Sequence, residues 1–95
     1  MKKVPEMLRE SADVFEQRSA LYGENYKHFG KAMMGVFPDG LTLSTEKEWN
    51  KIGILVQVVA KITRIGQQFP KIHEDSCLDT SVYVTMLREL GEMDE

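Results

Sequence analysis

The chain predicts an all-α fold, a compact four-helix bundle around a long, nearly enclosed third helix. Three observations lead there. Apolar residues recur at three- and four-residue steps through most of the 95 residues. Start and stop signals cut that pattern into four segments. Strand-like alternation is confined to Leu41-Thr42-Leu43. With 42% apolar and 28% charged residues, the balance is that of a folded domain rather than a disordered chain. The length predicts one domain over 1–95.

The first helix begins at Pro5 and stops at Gly23, with Met7, Leu8, Ala12, Phe15 and Tyr22 on one face. A shorter second helix, Asn25–Phe37, carries Tyr26, Phe29, Met33 and Val36, is weakened by Gly30 and Gly35, and ends at the turn Pro38-Asp39-Gly40. Thr45 and Glu48 form a capping box for a third helix running to about Gln67, closed by Phe69-Pro70. Glu74 or Asp75 caps a fourth helix that ends at Leu90-Gly91, leaving 92–95 as a frayed acidic tail.

The third helix is apolar over about 240° of its girth, through Trp49, Ile52, Ile54, Leu55, Val56, Val58, Val59, Ala60, Ile62 and Ile65. Such a helix needs near-complete cover, and a two-fold homodimer helps to provide it. Its remaining sector is a polar seam of Asn50, Gly53, Gln57, Lys61, Arg64 and Gln68. Gly53 there costs helix stability, which points to a close approach by backbone or ligand.

Charges recur on apolar faces. Asp79, with Asp75 one turn earlier, points into the apolar arc of the fourth helix, formed by Leu78, Val82, Tyr83, Met86, Leu87 and Leu90. Arg18 lies between Phe15 and Tyr22 on the inward face of the first helix. An unpaired buried charge is costly, so these groups are expected to meet. The expected cluster joins Arg18, Lys61 and Arg64 to Asp75 and Asp79, with Tyr22, Asn25, Gln57 and Tyr83 adding hydrogen-bonding groups. It reads either as a salt-bridge network that fixes helix register or as a pocket. Three cations against two anions suit a phosphate or carboxylate ligand rather than magnesium, which needs a carboxylate excess.

Four segments then carry a resemblance: Arg18–Gly30, Phe37–Leu43, Val56–Ile65 and His73–Tyr83. They resemble a family of small helical proteins of tailed phages and prophages, of unassigned function, distantly similar to a helical domain associated with nucleotide modification. The resemblance runs from about Leu8 to Leu90. It singles out Arg18, Tyr22, Gly23, Asn25, Lys61, Arg64, Asp75, Asp79 and Tyr83. It implies a protein at work in the host bacterial cytoplasm, in nucleotide metabolism or modification.

Several chemistries lack their residues. Asp13 and Glu16 imitate half of the magnesium box of helical nucleotide pyrophosphatases, but they lie on the outward face of their helix, and Asp75 and Asp79 are four apart rather than three. No phosphate loop, Cys-x-x-Cys or Gly-x-Ser-x-Gly is present, and His28 and His73 are isolated. No catalytic residue, metal site or cofactor is therefore assigned. A net charge of −3 disfavours direct binding to nucleic acid. The run Ile52–Ala60 is too short to span a membrane, and no signal-peptide core follows Met1-Lys2-Lys3. Cys77 is the single cysteine and reads as a small half-buried residue in a reducing cytoplasm. Two functions remain: binding of a nucleotide or other phosphorylated ligand in the charge cluster, or non-enzymatic interaction with a host protein, the cluster then being structural.

Overall fold

The computed structural model describes residues 1–94, with Leu21 and Tyr22 described through their backbone only. Four helices make up the fold: α1 (Val4–Tyr22), α2 (Phe29–Val36), α3 (Glu46–Gln68) and α4 (Glu74–Met93). No strand occurs among the described residues, so the all-α class holds.

The start of α3 follows from its sequence. Thr45 Oγ1 accepts from the Glu48 N–H at 3.1 Å, and the Glu48 carboxylate accepts from the Thr45 N–H at 3.0 Å, which closes the predicted capping box. The Thr45 hydroxyl, followed by the backbone N–H groups of Ser44 and Thr45, holds the Glu48 carboxyl below its ordinary pKa of 4.5.

α3 and α4 pack closely and antiparallel. Asp94, after the last turn of α4, pairs with Lys51 and, at 3.7 Å, with Lys47 at the start of α3. These pairs correct two expectations. Gly91 does not end α4, which runs on to Met93, and the segment 92–94 is helical or a held C-cap rather than frayed. Glu95 lies outside the described residues.

The cap of α4 also differs from expectation. His73 takes the N-cap position, its Nδ1 accepting from the Ser76 N–H at 3.2 Å and lying 2.6 Å from the Ser76 hydroxyl. Ser76 is 1% exposed, the most buried side chain described. Thr80, half-buried one turn later, donates to the Ser76 carbonyl at 2.6 Å. These two small hydroxyl residues let α4 approach α3 closely, because their polar groups are satisfied locally.

The expected second helix divides in two. Asn25–Lys27 is a single 3-10 turn, and α2 begins afresh at Phe29. Asn25 is occupied elsewhere: its Nδ2 donates to Thr63 Oγ1 at 2.8 Å, and its Oδ1 accepts from Gln67 Nε2 at 3.4 Å. This turn is therefore tethered to α3 by side chains. Just before it, Gly23 sits at φ 71°, a left-handed conformation that breaks α1 from the rest of the chain.

The expected enclosure of α3 is not achieved within one chain. Only Val58 and Val59 are buried among its apolar residues; Trp49 is 60% exposed and Ile62 54%. α4, α2 and the 37–43 loop cover α3 in part, and α1 is not laid along it: every residue from 1 to 18 is exposed.

Candidate functional site

The predicted cluster is dispersed in the structure. Lys61, half-buried on α3, pairs with Asp79 on α4 at 3.3 Å. The Asp79 side chain is 53% exposed, so this is a surface pair rather than a buried one. Asp75 is exposed at the start of α4, and Arg18 is exposed on α1, neither pointing into an interior. Gln57 is exposed on the α3 seam, and Tyr83 is half-buried against α3. The side chain of Tyr22 lies outside the described residues.

The reason for the difference is the rotation of α4. The pattern of large apolar residues centres the buried face near Leu78, Val82 and Met86. All three are exposed. The face on α3 is instead formed by Ser76, Thr80, Tyr83, Leu87 and Leu90, all buried or half-buried. The two small hydroxyl residues read as polar in the sequence, yet Ser76 is buried and Thr80 half-buried. Asp75 and Asp79 consequently move to the outer side with Leu78 and Val82.

Gly53 is not a point of close approach. A Cβ added there would meet nothing within 4 Å, which corrects the expectation of a neighbouring backbone or ligand. Cys77 is exposed rather than half-buried. Among the described residues no group of three or more His, Cys, Asp or Glu side chains could hold a metal ion. No described helix is long and apolar enough to cross a membrane.

One concave surface does gather some of the predicted residues. Asn25, Tyr26, Phe29, Val56, Ala60 and Arg64 line an open groove of about 390 Å³ between the 3-10 turn and α3. One cation, one amide and two aromatic rings face a largely apolar floor there.

The larger feature, missed by residue-by-residue reading, is apolar surface left without cover. Val4, Met7, Leu8, Val14 and Phe15 are all exposed on α1. At about 100° per residue they fall within about 120° of arc, opposite Glu6, Arg9, Glu10, Asp13 and Glu16. Phe15 touches only the rim of the body, its ring 6.1 Å from that of Tyr26 in an edge-on arrangement. A second strip runs along the outer side of α4 through Leu78, Val82, Met86 and Met93. No family model matches the chain, and no curated protein or solved structure matches it.

Proposed function

We propose that the protein is a non-enzymatic interaction protein whose contact surface is the pair of apolar strips on α1 and α4. The observation that carries this is α1 itself: an amphipathic helix of 19 residues whose first fifteen are exposed all round. A lone helix of that length is marginal in water, and most helical stability in proteins comes from packing of the apolar face. An uncovered strip of this kind marks a contact site for protein. The Lys61–Asp79 pair then serves the α3–α4 contact, and no bound ligand is needed to account for it.

A fluorescent probe of apolar surface tests the reading. It should bind the wild-type chain at dilutions where any complex has dissociated. Leu8→Glu combined with Val82→Glu should remove that binding while circular dichroism stays helical. A chain that binds no probe at any concentration has both strips covered from within, which contradicts the reading.

The groove at Arg64 supports a second reading, in which a phosphorylated ligand or nucleotide binds there with Tyr26 or Phe29 against a base. A thermal-shift series with nucleotides, with and without magnesium, tests it. A rise in melting temperature that Arg64→Ala abolishes favours it, and no rise with any nucleotide removes it.

A further inference from the structure

The surface left open is too large for a passing contact. The chain exposes 7677 Å², whereas a compact monomer of 10.9 kDa exposes about 5,600 Å². Its radius of gyration is 16.6 Å against about 12.4 Å for a compact chain of this length. The excess, about 2,000 Å² per chain, would give about 4,000 Å² if two chains covered each other, the range of obligate homodimers rather than of transient encounters.

The two strips are complementary in length, charge and order. α1 has 19 residues and α4 has 20, so each is about 30 Å long. Arg18 lies near the C-terminal end of the α1 strip and makes no ion pair among the described residues. Asp75 and Asp79 lie near the N-terminal end of the α4 strip. At the opposite ends stand Lys3, before α1, and Glu89 and Glu92, late in α4. Laid antiparallel, the helices set Arg18 near Asp75 and Asp79 while Lys3 falls near Glu92, because 15 residues separate the paired positions on α1 and much the same number separate them on α4. The same register sets Phe15 opposite Leu78, Leu8 opposite Met86, and the small pair Ser11-Ala12 opposite Val82.

We infer that the partner is a second copy of this chain, with α1 of each copy lying antiparallel along the outer face of α4 of the other and Arg18 meeting Asp75 and Asp79 across the interface. This inference rests on the interaction reading above and names its partner. A two-fold axis makes the contact reciprocal, so both strips on both copies are covered at once. Arg18 then finds the carboxylates that its place on an apolar face requires, but from the second copy rather than from its own chain.

Sedimentation equilibrium on the full chain tests this, with Leu8→Glu on α1 and Val82→Glu on α4. Both positions are exposed in the single chain, Leu8 at 65% and Val82 at 53%, so neither substitution disturbs the α3–α4 core and circular dichroism should remain helical. The wild type should be dimeric at micromolar concentration, and each substitution should weaken the dimer by about 100-fold or more. Arg18→Glu should weaken it about tenfold, and mixing that variant with an Asp75→Arg, Asp79→Arg chain should restore association. A dimer broken by Leu8→Glu but not by Val82→Glu pairs α1 with α1 and overturns the inference. A monomer at all concentrations that still binds the apolar probe overturns the second-copy partner and leaves the interaction reading standing. A monomer that binds no probe overturns both.

Discussion

The α3–α4 pair and the α1 arm are built from the same kind of sequence and have different fates. Each helix carries an apolar face, yet α3 buries Val58 and Val59 while α1 buries nothing along its first fifteen residues. The difference does not lie in helix chemistry. It lies in what the chain places beside each helix: α3 and α4 are tied by Lys51–Asp94 at one end and Lys61–Asp79 further along, whereas α1 turns away at Gly23. An amphipathic face therefore records that a helix has a partner, not that the partner belongs to the same molecule.

The two regions should respond differently to the same kind of substitution. Val58→Asp places an unpaired charge in the only buried part of α3 and should cost about 3–5 kcal/mol, enough to unfold so small a domain. Phe15→Asp should leave the melting temperature of the dilute chain almost unchanged. Equal losses at both positions, by thermal denaturation, would mean that α1 is packed on its own chain.

The two glycines make a smaller contrast. Gly23, at φ 71°, separates the arm from the body, and Gly23→Ala should cost about 1–2 kcal/mol through the left-handed backbone. Gly53 is in ordinary helix facing open space, and Gly53→Ala should stabilise by about 0.5–1 kcal/mol. Urea unfolding of both variants reads the opposite signs directly.

Asp79→Ala should cost at most about 1 kcal/mol, since its partner Lys61 can turn to water. A loss of several kcal/mol would show that the pair is buried. The smallest effect concerns acid. The folded-state pKa of Glu48 is depressed, so its capping contribution is present above its ordinary value of 4.5 and is lost as pH falls through the lower, folded value. The gap in melting temperature between wild type and Glu48→Ala should therefore narrow in acid and be full at neutral pH.

Much of the fold was legible in the sequence because its signals are local. The Thr45–Glu48 capping box, the stop at Phe69-Pro70 and the break at Gly23 each depend on residues within a few positions of one another. The rotation of α4 was not legible. Ser76 and Thr80 count as polar in any pattern, and only their bonds to His73 and to the helix backbone make them fit for burial. The expected cluster of Arg18, Lys61, Arg64, Asp75 and Asp79 failed to assemble for the same reason. Arg18, Asp75 and Asp79 lie on apolar faces and Lys61 and Arg64 in the polar seam of α3, but the sequence does not state which faces meet within one chain. Asn25, expected beside the charge cluster, also ties its turn to Thr63 and Gln67, a pairing 38 and 42 residues apart in sequence that no local pattern shows.

Residue-resolved hydrogen exchange at a series of protein concentrations separates a partner for α1 in a second copy from one in its own chain. Amides of α3 and α4 on their shared face should be protected equally at every concentration. Amides of α1 should exchange fast in dilute solution and become protected as concentration rises, following the formation of the dimer. Protection of α1 that is strong in dilute solution and independent of concentration would overturn the second-copy contact, because it would place the partner of α1 within its own chain.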